Sequence, residues 1–324
     1  MRRGGRWFVA FLAVLVGVVT WIFVARSDEK VPPVVFSVET DMRQYDIGLA
    51  TDAGSRLLTD DKLSYGAAWS PDGAQIAFVR GAPNTWEECC GYAEERLWVM
   101  DADGGDAEPV SGVLDDVSPP QWTPDGDALV FTDDGPKGAT LYRLDFGAGE
   151  VTAVLDGFGN RDFSLSPDGT QLVSGNVEPR QIVIVDLDDG SQQVVANDVF
   201  GYGRDVVWSP DGDWLAMSAL VRGVDDGGTW AWNLKTEELV EVSASQRTSY
   251  TWSSGSELLI CRQIPDPALK DEFFTDRGEL WLTDVADGGK GRRVTGYDES
   301  LDPQNPPGDC IGAGMDARVV SRDQ

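Results

Sequence analysis

The sequence predicts an all-β fold: a six-bladed β-propeller of four-stranded blades, preceded by a single N-terminal transmembrane helix. Three observations lead there. One phrase recurs, as AAWSPDGAQIAFV from Ala67, PQWTPDGDALVFT from Pro120, FSLSPDGTQLVSG from Phe163 and VVWSPDGDWLAMS from Val206. Its copies are evenly spaced. Trp69, Trp122, Leu165 and Trp208 lie 53, 43 and 43 residues apart, and Trp252 of the degenerate copy YTWSSGSELLI follows after 44 more. Finally, each copy is flanked by strand signals, a short apolar run before it and an alternating one after it. Periods of this size mark arrays of like units stacked on one another.

The chain opens with a basic MRRGGR and then WFVAFLAVLVGVVTWIFVA, Trp7 to Ala25, which carries no charge. Nineteen apolar residues are enough to cross a bilayer as a helix. Arg2, Arg3 and Arg6 place its start in the cytoplasm and everything after Arg26 outside. The domains expected are therefore 1–30, a cytoplasmic stub and signal-anchor, and 31–324, the propeller. Ala25-Arg26-Ser27 also fits a cleavage site, in which case the protein is secreted.

Within each unit the letters SPDG have a local explanation. Proline presets the second position of a β-turn, aspartate suits the third, and glycine takes up the left-handed conformation that a type I turn with a bulge requires. Asp72, Asp125, Asp168 and Asp211 are accordingly turn residues rather than ligands. A third strand and a second tight turn follow, in LWVMDADGGD, LYRLDFGAGE, IVIVDLDDGS, WAWNLKTEEL and LWLTDVADGG. A fourth strand completes the unit. DADGGD is not a calcium loop, because Gly105 and Gly112 stand where an EF-hand needs a ligand and a bidentate glutamate. No metal site and no cofactor is expected.

These units, WSPDG followed by LWVMDADGG, resemble the repeats of TolB-like β-propellers, also described as WD-like repeats. The resemblance runs over roughly residues 34 to 324 and implies a bacterial, extracytoplasmic propeller. The wider group includes the Tol-Pal component, propellers attached to serine peptidases and lone propellers. With no hydrolase domain and no histidine, the peptidase branch is not implied, and the N-terminal α/β domain of the Tol-Pal protein is not found either.

Five full units begin near Ala67, Pro120, Phe163, Val206 and Tyr250, and an incomplete one, VVFSVE with QYDIGLATDAGSRLLTD, precedes them. Its missing strand is expected at the other end. Ala317 to Gln324 should pair beside Val34 to Val38, with Val320 in the tryptophan position. That pairing closes the ring and removes two sheet edges.

Hairpin tips and third-to-fourth turns share one face of such a ring, and the remaining connections share the other. Two of the latter are long, Arg80 to Arg96 in blade two and Arg262 to Glu279 in blade six, and the link from blade six to blade one is longer still. Blades two and six both flank blade one, so these insertions crowd one side of one face. Loops carry function more often than the scaffold does. Trp86, Tyr92, Phe273 and Phe274 are thus candidate partner-binding anchors, or else they pack the insertions onto the propeller. Glu87, Glu88, Glu94 and Glu95 offer acid to a cation or basic partner, or form a solvated loop. Arg161 and Arg204, each followed by aspartate near the innermost strand, bind an anion at the channel mouth or pair with their neighbours.

All four cysteines fall in or beside the insertions. In an exported chain they are disulfide candidates: Cys261 with Cys310, and Cys89 with Cys90 or each with another partner.

Composition narrows the function. The absence of histidine excludes a Ser-His-Asp triad and imidazole-ligated zinc. All 55 acidic residues follow the apolar segment, and a net charge of −29 repels nucleic acid. The expectation is a non-enzymatic, membrane-tethered propeller that binds protein partners outside the cytoplasmic membrane. The alternative is an extracytoplasmic hydrolase or lyase acting on glycans or peptides through carboxylates.

Overall fold

A computed structural model describes residues 32–41, 44–51, 54–83, 92–135, 138–156, 158, 162–176, 181–195, 199–221, 223, 227–244, 250–265, 276–293 and 315–317. Among the described residues no helix is long and apolar enough to cross a membrane. The expected anchor, Trp7 to Ala25, lies outside them.

The described strands form six antiparallel four-stranded sheets. Blade one contains β1 (Val34–Asp41), β2 (Gln44–Thr51) and β3 (Gly54–Leu57). Blade two runs β4 (Ser64–Trp69), β5 (Gln75–Ala82), β6 (Ala93–Asp101) and β7 (Glu108–Pro109). Blade three is β8 (Gln121–Trp122), β9 (Ala128–Gly135), β10 (Gly138–Asp145) and β11 (Glu150–Leu155). Blade four is β12 (Ser164–Leu165), β13 (Gln171–Asn176), β14 (Gln181–Asp186) and β15 (Gln192–Val195). Blade five has β16 (Phe200–Trp208), β17 (Trp214–Val221), β18 (Gly228–Asn233) and β19 (Leu239–Ser243). Blade six has β20 (Tyr250–Trp252), β21 (Glu257–Pro265), β22 (Asp276–Asp284) and β23 (Lys290–Arg293).

The last strand, β24 (Met315–Ala317), supplies the first strand of blade one. Val34 faces Ala317, Val35 faces Asp316 and Phe36 faces Met315. The closing strand expected at Ala317–Gln324 overlaps this pairing only at Ala317, and Arg318–Gln324 lies outside the described residues. β1 itself begins directly after Pro32 and Pro33, neither of which has an N–H to give.

Each SPDG tip is built the same way. Gly73, Gly126, Gly169 and Gly212 have φ of 65°, 77°, 72° and 79°. Their amides donate to the carbonyls of Ser70, Thr123, Ser166 and Ser209. The hydroxyl of Ser70 donates to Asp72 Oδ1 at 2.6 Å and accepts from the Gln75 amide at 2.9 Å. Ser166 and Ser209 repeat both bonds. The turn thus holds its own aspartate, as its residue preferences anticipate.

The core is a series of layers between neighbouring blades rather than one central mass. Phe78, Ile76 and Trp69 of blade two pack on Val35, Ile47 and Leu49 of blade one. The pattern repeats between blades two and three, three and four, four and five, and five and six. Two of the recurring tryptophans bond across these seams. Trp122 Nε1–H donates to the Ala68 carbonyl of blade two at 3.1 Å, and Trp252 Nε1–H to the Val207 carbonyl of blade five at 3.0 Å. Trp208 instead donates to Gly212 in its own turn.

Side chains also bond from one blade to the next near the inner strands. Ser37 Oγ accepts from the Gly66 amide and Ser164 Oγ from the Trp208 amide, both at 3.0 Å. The Gln121 amide group donates to the Phe163 carbonyl and accepts from the Leu165 N–H.

Candidate functional site

With the strand order known, the two faces follow. The SPDG tips and third-to-fourth turns lie on one. The other face holds the inter-blade ends and the strand ends from which the β5–β6 and β21–β22 connections leave, in blades two and six, both of which neighbour blade one. Trp86, Cys89, Cys90, Arg161, Phe273, Phe274 and Cys310 lie outside the described residues, as do Glu87 and Glu88. Cys261 stands on β21 with Leu280 opposite it on β22.

Tyr92 is the described anchor candidate, and it packs the root of the blade-two insertion onto the propeller. Its ring stacks on Tyr65, centroids 5.4 Å apart and 16° from parallel. Its hydroxyl accepts from the Tyr45 amide of blade one at 3.0 Å and reaches the Lys62 carbonyl at 3.4 Å. Burial pushes this phenol up to about 12, with the Asp46 and Asp61 carboxylates adding to the shift. Gly81 makes the fit possible: a β-carbon there would lie 2.3 Å from Tyr92 Cβ.

Beneath Tyr92 runs a polar network that joins blades one and two. Asp46 is buried, and its Oδ1 accepts from the Thr59 hydroxyl and from the amides of Asp61 and Lys62 at 2.9–3.0 Å. Asp61 Oδ2 pairs with Arg80 Nη2 at 2.6 Å, and Ser64 bridges the two side chains. The Arg80 guanidinium lies over the Trp98 ring, 4.5 Å from its centroid. Every buried charge here has partners, which is the condition for tolerating it.

Glu95 differs from expectation. Strand alternation on β6 turns it inward with Leu97 and Val99, so it is buried instead of offering acid to solvent. Its Oε1 accepts from the Tyr65 hydroxyl at 2.8 Å and its Oε2 from the Val117 amide at 2.9 Å. Glu94 is exposed.

Arg204 is exposed on the innermost strand β16, with Nε 3.5 Å from Asp205 Oδ2. Asp205 has φ of 52° at a bulge, the position that Gly66 occupies in blade two. Asp205 is about half exposed, with a side-chain exposure of 51%, yet desolvation beside the inner strands and then the Asp162 carboxylate push its carboxyl above the ordinary range, while Arg204 opposes both. The Tyr250 hydroxyl donates to the Asp205 carbonyl at 2.7 Å and fixes the bulge. Arg204 therefore stands beside its aspartate, and the geometry displays an Arg–Asp pair.

Asp125 and Asp168 are held below the usual carboxylate range by the hydroxyls of Thr123 and Ser166 and by turn amides. Among the described residues no group of three or more Asp, Glu or Cys is arranged to hold a metal ion.

No protein-family model matches the sequence. Over 72 residues the chain is 31% identical to the uncharacterized peptidase YuxL of Bacillus subtilis, a stretch that is 22% of this chain and 10% of that protein. Among solved structures it is similar to TolB from Acinetobacter baumannii, with a TM-score of 0.62 and 16% identity, over 82% of this chain and 65% of that one. It is also similar to a chain of a nidogen–laminin complex, with a TM-score of 0.57 and 12% identity, over 89% and 98% of the two chains. The chain thus spans about two thirds of the TolB chain it resembles and a tenth of its curated relative. Six radial four-stranded sheets, a ring closed by both ends of the described chain and this likeness together show a TolB-like six-bladed β-propeller fold.

Proposed function

We propose that the protein is a non-enzymatic binding propeller, held outside the cytoplasmic membrane by its N-terminal apolar segment. It presents the insertion-bearing face of blades six, one and two to a protein partner. One observation carries this reading: both long second-to-third connections emerge on one face at blades that flank the ring closure. The root of one is clamped by Tyr92, Gly81 and the Asp46–Asp61–Arg80 network. A rigid root under a long loop is what presenting a surface requires. The nidogen–laminin complex gives a precedent, in a similar fold, for a chain that meets a protein partner.

The segment Trp7–Ala25 and the basic residues before it support the tether. The chain has no histidine to act as general base, and the turn aspartates bond within their own turns. Both points weigh against the peptidase reading that the match to YuxL would suggest.

The test is crosslinking and affinity capture with residues 32–324, comparing the wild type with a variant carrying Trp86→Ala, Phe273→Ala and Phe274→Ala. The wild type should recover partners that the variant loses. Equal recovery by both would place the binding surface elsewhere.

A further inference from the structure

The outermost strand of every propeller blade is a sheet edge, and such edges are normally blunted against stray pairing. Most of the outer strands here carry such a device. β3 holds Arg56, whose Nη2 donates to the Asp103 carbonyl of the next blade. β7 is two residues long and ends in Pro109, which has no N–H to offer. Gly289 of the following blade sits against β19, where a β-carbon would lie 2.7 Å from the Glu241 carbonyl oxygen. β23 reads KGRR and is basic. β15 has four residues.

β11 has little of this protection. Its six residues, EVTAVL, include no proline, lysine or arginine, and five of the six are exposed. Among the described residues, nothing bonds to the side of β11 that faces away from β10. A bulge opposite Leu141 and Tyr142 leaves Glu150–Ala153 in regular register. The exposed large hydrophobic side chains belong to blade three and its neighbouring segments, and two of them, Val151 and Val154, stand on β11 itself. Val151, Val154 and Phe146 belong to blade three, Val113 to the link that enters it, and Val194 to the outer strand of blade four. Among the described residues the other blades show none.

Charge selects the occupant. Exposed Glu150 and Asp156 stand at the two ends of β11. At the Leu155 end the neighbouring turn of blade four adds exposed Asp188 and Asp189; a β-carbon on its Gly190 would lie 3.7 Å from Leu155 Cδ1. The one cation on β10, Arg143, already lies 3.8 Å from Asp145. A second copy of this chain laid antiparallel on β11 would set acid against acid at both ends.

We propose that β11 accepts an extended segment of another protein as a fifth strand of blade three, a segment with small β-branched residues in its middle and basic residues at its ends. Backbone pairing along Glu150–Ala153 supplies the affinity, and exposed Val151, in the regular register, and Val154, at the bulge, each offer an apolar contact. This surface lies on the outer wall of blade three, across the ring from blade six, and is separate from the insertion face.

The test uses labelled, end-capped decapeptides with one alternating Val–Thr core and the full-length chain at physiological ionic strength. One peptide has lysine pairs at its ends, a second has glutamate pairs, and a third is the lysine peptide with alternate backbone amides N-methylated. The lysine peptide should bind and slow hydrogen exchange across residues 150–155. The N-methylated and glutamate peptides should bind at least tenfold more weakly. A Val151→Lys/Val154→Lys variant, changed only at exposed positions, should lose the lysine peptide to the same degree while melting like the wild type. The proposal is overturned if the lysine peptide does not bind, if N-methylation or the double substitution leaves binding unchanged, or if the glutamate peptide binds equally. It is also overturned if β11 is protected only by dimerisation of the chain itself.

Discussion

Replacing Trp252 with phenylalanine probes how neighbouring blades are held together. The side chain is 2% exposed and packs among Trp214, Ala216, Ala231, Val240, Leu258 and Ile260 across the seam of blades five and six. Phenylalanine keeps most of that contact but leaves the Val207 carbonyl without the indole N–H that reached it at 3.0 Å. Orphaning a buried polar group costs about 1–3 kcal/mol, and the smaller ring adds a packing loss, so Trp252→Phe should cost about 2–3 kcal/mol. Trp252→Ala should cost about 3–5 kcal/mol. Trp208→Phe is the internal control. That ring is only partly buried, and its N–H returns to Gly212 in its own exposed turn, where water can replace it, so its loss should cost under about 1 kcal/mol. Urea unfolding with a shared m-value measures all three. Equal costs for the two phenylalanine variants would refute the idea that indole bonds staple one blade to the next.

Other consequences follow from the same geometry. Gly81→Ala forces a β-carbon onto Tyr92 and should cost about 1–3 kcal/mol; in a Tyr92→Ala background most of that cost should vanish, which a double-mutant cycle would detect as coupling. Asp168 is held below its ordinary range, so it contributes stability that is present above the unfolded carboxylate value of about 3.9 and is lost as pH falls through the folded value. Asp168→Asn should therefore lose stability at neutral pH and flatten the acid limb of the stability curve. Asp205 is shifted the other way, so its ionisation weakens the fold as pH rises from about 3.9 through its raised value. Asp205→Asn should gain on the wild type at pH 7 relative to pH 3, and an unchanged difference would contradict the assigned direction.

What the sequence made legible was what local chemistry determines. SPDG is a turn whatever surrounds it, because proline, aspartate and a left-handed glycine meet that geometry alone. Even spacing then counts the blades, and counting them assigns the long connections to one face. What stayed hidden depends on contacts between distant residues. Asp46, Asp61, Arg80 and Tyr92 are spread over two blades, and nothing in QYDIGLAT announces that its aspartate is a buried hub. Glu95 falls inside the stretch Arg80–Arg96 that reads as a connection, yet β6 begins at Ala93 and its alternation points Glu95 inward. The closing pairing joins the two ends of the described chain, with Met315–Ala317 beside Val34–Phe36, a register that nothing local in either segment announces. The cross-seam bonds of Trp122 and Trp252 needed the neighbouring blade to be seen, since the tryptophans look equivalent in sequence.

The placement of the insertions side by side depends on β24 completing blade one. Hydrogen exchange of the chain truncated after residue 314 tests this directly. Among the amides of Val34–Phe36, those directed at β24 should be protected in the full chain and exchange freely in the truncated one, while those directed at β2, and those of Leu172–Ser174 in blade four, keep much of their protection. Unaltered protection at Val34–Phe36 would mean that the ring is not closed by its two ends, and the grouping of blades six, one and two would lose its basis.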